Sequence, residues 1–256
     1  MTQNATGKLI AVASGKGGVG KTWFSITLAQ SLAQQGKKVL LFDGDLGLAN
    51  IDVQLGLMVK RDLNDVIEGN ASIENIILKC EDGGFDVIAG RSGQGSLTTL
   101  PVQRLTAILA QLKSLLPRYD AVIIDLGAGI DRTVRFMAAA ADCSYVVTTD
   151  EPTSLTDAYA FIKLSHNAGH GDNLNIVVNM TGSHKEGEMT YQTLIKACKN
   201  FLKIEPPLAG IIRQDKKVRD AIRAQTPYLT RHPGTETAED IAKIAEKLST
   251  TLRQSA

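Results

Sequence analysis

The chain is expected to fold as a doubly wound α/β protein, a mostly parallel sheet with helices on both faces. Three observations predict this. Apolar, β-branched runs recur along the 256 residues with helix-forming stretches between them. Those runs are continuous rather than alternating, as strands covered on both faces require. The first of them leads through a glycine loop straight into a helix.

In chain order, the first strand is Leu9 to Ala13, and the helix after the loop is Trp23 to Gln35, with Phe24, Ile26, Leu28 and Leu32 as apolar positions. The second strand is Lys38 to Phe42, ending at Asp43. Phe85 to Ala89 follows, then Ala121 to Ile124 ending at Asp125, Ser144 to Thr148, Leu174 to Val178 ending at Asn179, and Leu208 to Ile212. Helices are expected at about 102–116, 132–141, 154–166, 186–202 and 237–252. In such sheets ligands sit at the carboxyl ends of strands, where Asp43, Asp125 and Asn179 fall. No repeat, low-complexity tract or linker interrupts the pattern, so residues 1–256 read as one domain.

The glycine loop carries the chemistry. Gly15-Lys16-Gly17-Gly18-Val19-Gly20-Lys21-Thr22 fits G-x-x-x-x-G-K-[ST] in the strand–loop–helix context a phosphate-binding loop requires. Glycines let backbone N–H groups turn towards an anionic oxygen, and the helix start adds its dipole. Lys21 is placed to reach the β- and γ-phosphates, and the Thr22 hydroxyl to hold Mg²⁺. Asp125, followed by Leu126-Gly127-Ala128-Gly129, offers a carboxylate for a Mg²⁺-bound water and glycines that allow close approach to a γ-phosphate. Asp43 and Asp45 open a segment running to Asn50 and Asp52. Two carboxylates beside a triphosphate need a metal or a water between them, so one is a candidate to orient the attacking water and Asp43 joins the metal side. Positioning and charge stabilisation would then supply the catalysis.

Composition sets the bounds. At 43% hydrophobic, the chain can bury a sizeable core, and a net charge of +1 implies no bulk attraction to nucleic acid or anionic membrane. Cys80, Cys143 and Cys198 are odd in number and widely spaced, and read as free thiols in a reducing cytoplasm. Met1 to Lys8 is polar, without the apolar centre of a signal peptide, and no run is long enough to span a membrane. His166 and His170 are spaced i, i+4, but Asn167, Gly169 and Gly171 end the helix there, which argues against a metal pair. Trp23 is either a packing residue or stacks near the ligand.

Lys16 adds a second lysine to the loop, and the stretch resembles the deviant Walker A motif, K-G-G-x-G-K-T, of the MinD/ParA ATPases. The resemblance runs from about Lys8 to Leu252 and implies a P-loop ATPase fold, ATP and Mg²⁺ as ligands, and an ATP-dependent homodimer in which Lys16 reaches the partner's nucleotide. Asp125 to Ile130 resembles the family's D-T-G-A-G-I, with Leu126 where a threonine is common. Asp45 and Asn50 match the switch I pattern D-x-D-x-G-x-x-N, where the second aspartate polarises water and the asparagine helps hold it. Asn179 matches an asparagine that hydrogen-bonds adenine. Gly210 to Asp215 resembles a loop that packs on the base, with Arg213 replacing its proline and Asp215 retained. Asp45 to Leu57 and Glu151-Pro152-Thr153-Ser154-Leu155-Thr156-Asp157-Ala158-Tyr159 resemble the flagellar-number regulators of the FlhG/FleN branch.

That branch implies a slow ATPase read by a flagellar assembly or regulatory protein, cytoplasmic or peripheral at the inner face of the cell membrane or the pole. Two features depart from it. Met1 to Lys8 lacks the segment D-Q-A-x-x-L-R. The last helix carries Ile241, Ile244, Ala245, Leu248 and Leu252 as a stripe without Trp or Phe, which fits packing on the domain better than membrane targeting. Two alternatives stand beside this expectation. One is a ParA-like DNA-partitioning or cargo-positioning ATPase using Lys216, Lys217, Arg219, Arg223 and Arg231, although the interspersed Asp215 and Asp220 make a solvated helix face. The other is a binding module that scarcely hydrolyses ATP, supported by Leu126 and Trp23.

Overall fold

The computed structural model describes residues 7–45, 47–90 and 100–253; most of the amino-terminal run read for a leader, and Leu46 of the switch segment, lie outside them. Eight strands form one sheet: β1 (Lys8–Ser14), β2 (Val39–Gly44), β3 (Ile77–Cys80), β4 (Phe85–Ile88), β5 (Ala121–Ala128), β6 (Cys143–Thr148), β7 (Leu174–Thr181) and β8 (Leu208–Arg213). Their order is β3-β4-β2-β5-β1-β6-β7-β8. All neighbours are parallel except β3, which runs antiparallel to β4.

The continuous apolar runs are explained by two cores. Along β1, Leu9, Ala11 and Ala13 face one side and Ile10 and Val12 the other. The first side is covered by α4 (Val102–Leu115), α5 (Arg132–Ala139), α6 (Pro152–Asn167) and α7 (His184–Ala197). The second is covered by α1 (Lys21–Gln34) and α10 (Glu236–Arg253). Each large side chain so buried contributes roughly 1.5–3 kcal/mol. The stripe Ile241, Ile244, Ala245, Leu248 and Leu252 of α10 lies in that second core, all at 9% exposure or less. No helix among the described residues is long and apolar enough to cross a membrane.

Several elements differ from the sequence expectation. β5 and β7 run past Asp125 and Asn179 to Ala128 and Thr181, so these two residues sit inside their strands. Helix α6 starts at Pro152, where a missing N–H costs nothing, and ends at Asn167, just after His166. The solvated helix face expected around Lys216 to Arg223 is α8 (Lys217–Arg223), whereas β3 and the short helices α2 (Ile51–Leu55), α3 (Leu63–Ile67) and α9 (Tyr228–Arg231) have no counterpart in the sequence expectation. The three cysteines are unpaired, and burial pushes the Cys143 and Cys198 thiols up to about 11.

Candidate functional site

β1 is central: the chain leaves it towards β2 on one side, and later crosses from β5 over β1 to β6 on the other, so the strand order changes direction there. The crevice beyond its carboxyl end is therefore the place for a ligand. The loop Gly15–Gly20 fills it. Gly18 and Gly20 have φ of 81° and 82°, a region other residues rarely enter. A Cβ on Gly15 would lie 2.2 Å from the Asp157 carbonyl oxygen, so packing also requires glycine there, whereas Gly18 faces open space. Gly20 caps α1 without a side-chain hydrogen bond, and the first turn of that 14-residue helix holds no acidic residue. Its leading N–H groups and the open loop suit an anionic, phosphate-like ligand.

Asp125 anchors the loop from behind. Only 1% exposed, its Oδ1 accepts hydrogen bonds from Lys21 Nζ (3.2 Å) and Ser25 Oγ (2.8 Å), and its Oδ2 accepts one from Thr22 Oγ1 (2.7 Å). Sequence reading identified Lys21 and Thr22 and missed Ser25, which looks like an ordinary small helix residue one turn on. Across the β2–β5 ladder Asp125 pairs with Asp43. Burial pushes the Asp43 carboxyl up to about 7, and the charge on Asp125 adds to the rise. Asp43 was expected on the metal side. Instead its Oδ1 accepts the Asp45 N–H, and its Oδ2 accepts the N–H groups of Asn50 and Ile51, so it holds the segment after β2. Thr22 and Asp125 remain the groups placed to hold a Mg²⁺, a cation that needs few protein ligands because it keeps its waters.

In front lies a cleft of about 400 Å³, lined by Lys16 to Thr22 together with Trp23, Asp45, Leu48, Asn50, Gln54 and Ala128. Asp45 Oδ1 accepts the Leu48 N–H at 3.0 Å, and a Cβ on Gly127 would sit 3.4 Å from that oxygen, so Asp45 lies over the β5 loop. Gln54 Nε2 donates to Asn50 Oδ1 at 3.3 Å. Gly129, with φ of 112°, closes β5 and donates its N–H to the Ser14 carbonyl. Lys16 leans aside. Its Nζ donates to Glu151 Oε2 at 2.5 Å and to Thr153 Oγ1 at 2.8 Å.

Three residues expected at the base do not line this cleft. Asn179 is 2% exposed, and its Nδ2 donates to the Val19 carbonyl at 2.8 Å, tying β7 to the loop. Arg213 forms a bidentate pair with buried Asp240 (2.8 and 2.9 Å) and reaches Glu236, fixing the start of α10. Asp240 also binds His184 Nε2, and these partners outweigh burial to hold its carboxyl below the ordinary range. Asp215 accepts the Tyr228 hydroxyl at 2.7 Å and the Lys217 N–H. Trp23 packs edge-on against Tyr228 at 5.4 Å, a packing residue at the rim of the cleft. Arg231 is spent on Asp220, so the basic cluster after β8 is partly neutralised. Leu126 is a core residue.

Comparison with known proteins agrees with this geometry. The CobQ/CobB/MinD/ParA nucleotide binding domain family matches residues 10–228. This chain belongs to the MinD/ParA family. It is 38% identical to the antiactivator FleN of Pseudomonas aeruginosa over 243 residues, covering 94% of this chain and 86% of that protein. It is 35% identical to the flagellum site-determining protein YlxH of Helicobacter pylori, covering 97% and 84%. The septum site-determining protein MinD of Pyrococcus horikoshii, solved with Mg-ADP, superposes with a TM-score of 0.82 at 26% identity, covering 97% and 98%. As a family member the chain has the doubly wound, mostly parallel P-loop fold expected of it.

Proposed function

We propose that this chain is a slow ATPase that acts as a nucleotide-dependent switch, pairs with a second copy of itself when ATP is bound, and sets flagellar number or placement. The observation that carries the reading is the buried Asp125, gripped by Lys21, Thr22 and Ser25 behind a glycine loop that lines an open cleft. The relatives named FleN and YlxH support the flagellar output and a protein partner that reads it.

Mg-ATP supplies the transferable phosphoryl group and the cation that offsets its charge. The chain's own residues do the rest. Lys21 neutralises the phosphates, Thr22 and Asp125 hold the cation side, Asp45 orients the attacking water and Asn50 retains it. Lys16 leaves Glu151 and Thr153 to reach the nucleotide of the second copy. That exchange is inexpensive, because the ion pair is 36% and 62% exposed and such pairs are worth about 0–1 kcal/mol. Asn179 holds the loop, while Arg213 and Asp215 brace the chain after β8.

The test is light scattering of wild type and Lys16→Ala with Mg-ATP and with Mg-ADP, alongside phosphate release. The proposal expects a dimer in Mg-ATP only, lost in Lys16→Ala. A wild-type protein that stays monomeric in both nucleotides overturns the dimer switch. Flagella counted per cell with and without the gene test the output.

A further inference from the structure

Of the five buried side-chain polar atoms without a hydrogen-bond partner among the described residues, two complement one another and line the same gap: Trp23 Nε1, a donor, and Gln54 Oε1, an acceptor. Trp23 is the residue after Thr22 on α1, and Gln54 lies on α2, four residues after Asn50. Both line the nucleotide cleft, and both line a second gap of about 10 Å³ shared with Leu55, Ile222 and Tyr228. That is close to the smallest void that admits one water. Gln54 is already engaged at its other end, where Nε2 donates to Asn50 Oδ1.

We propose that Trp23 and Gln54 are a positioning pair for Asn50. When nucleotide seats α2 against α1, the indole N–H joins Gln54 Oε1, directly or through the one water the gap admits. This orients the carboxamide so that its N–H holds Asn50. The chemistry selects one orientation. An indole can only donate, so it requires the amide oxygen, and that turns the NH₂ towards the Asn50 oxygen. Flipped, the amide would set donor against donor at Trp23 and acceptor against acceptor at Asn50. Leaving both buried groups unpaired is unfavourable, and joining them removes both penalties at once. The link runs from the loop that senses phosphate to the residue that retains water, and it rests on the ATPase reading above.

The chain has a single tryptophan, so its indole N–H gives one cross-peak in a ¹⁵N-labelled sample. The experiment compares wild type, Trp23→Phe, Gln54→Met and the double variant, free and with Mg-ADP or a non-hydrolysed Mg-ATP analogue. Gln54→Met keeps side-chain bulk and Trp23→Phe keeps an aromatic ring against Tyr228, and melting midpoints confirm folding. In wild type the indole proton should move downfield on loading with the analogue, and in Gln54→Met it should not. Turnover should fall on the order of tenfold in each single variant, the size of one neutral hydrogen bond, with KM little changed. The double variant should fall no further, as members of one unit do. An unmoved indole in analogue-loaded wild type, full turnover in both single variants, or losses that multiply would overturn the pair. A wild-type chain that binds neither nucleotide would overturn the nucleotide reading, and the pair with it.

Discussion

Replacing Asp125 by Asn separates the electrostatics of the site from its shape. Asp43 and Asp125 lie side by side on β2 and β5, each 1% exposed, and the Asp43 carboxyl stands at about 7 against an ordinary 3.8. A raised carboxyl costs stability as pH rises, because the unfolded chain gives up its proton first. The loss begins near pH 4 and is complete just above 7. At 1.36 kcal/mol per unit, about three units make roughly 4 kcal/mol from this one group. Burial is the larger cause and the charge on Asp125 the second. In Asp125→Asn the second cause vanishes, the Asp43 carboxyl falls, and the upper part of the window closes.

The same change strands Lys21, which is 7% exposed and has Asp125 as its ion-pair partner. Removing one member of a buried pair costs about 3–5 kcal/mol. The variant should therefore melt below wild type by roughly 6–20 °C at pH 5, at about 2–4 °C per kcal/mol for a chain of this size. The deficit should shrink between pH 5 and 7, since wild type loses more stability to Asp43 there than the variant, whose Asp43 keeps only the part of the rise that burial causes. Calorimetry of both proteins without nucleotide at pH 5, 6 and 7 measures the difference, and the four histidines, common to both, cancel. Parallel profiles across that range would refute the coupling of the two carboxyls.

Other perturbations test the scaffold. Gly20→Ala should abolish nucleotide binding in a fluorescent-nucleotide titration, because it combines a left-handed φ with a Cβ 2.5 Å from Asn179 Nδ2; retained affinity would show that the loop tolerates the shift. Arg213→Lys breaks the bidentate pair to Asp240 and should lower the free energy of unfolding by about 1–3 kcal/mol while leaving nucleotide affinity unchanged. A matching loss of affinity would return Arg213 to the base. Gly210→Ala drives a Cβ to 2.4 Å from Ile244 Cγ1 and should cost about 1–3 kcal/mol, whereas Ile244→Ala alone should cost about 2–5. Urea titration of the double variant should show less than the sum, since each change makes room for the other.

The parts of this fold that were legible in the sequence are those set by local rules. The continuous runs gave the parallel strands because both faces of β1 are buried, and the glycine loop was recognisable because its φ angles and close contacts admit little else. The unread elements lack such rules. β3 has four residues on the sheet edge, and α2 and α3 have five residues each, too few for a helical period to show. Side-chain commitments were harder still. Arg213 is placed near the nucleotide only by the resemblance of Gly210 to Asp215 to a family loop, and the partner it has in the structure, Asp240, lies 27 residues on in α10. Ser25 and Gln54 carry no motif, and only the meeting of α1 with β5 and of α2 with the cleft gives them a role.

Asn50 shows how such distant commitments combine. Its backbone N–H is held by Asp43 Oδ2, and its side-chain oxygen by Gln54 Nε2. The first hold depends on the charge balance of the β2–β5 carboxyl pair, the second on the orientation of a carboxamide facing Trp23. These are separate dependences, so the two variants should fail differently. Asp125→Asn changes the acidity of the group that grips the backbone, and its effect on turnover should vary with pH between 5 and 7. Gln54→Met leaves both carboxyls untouched, and its loss should be the same at every pH in that range. A pH-dependent loss in Gln54→Met would mean that the side-chain hold also runs through the acidic pair, and that Asn50 answers to one network instead of two.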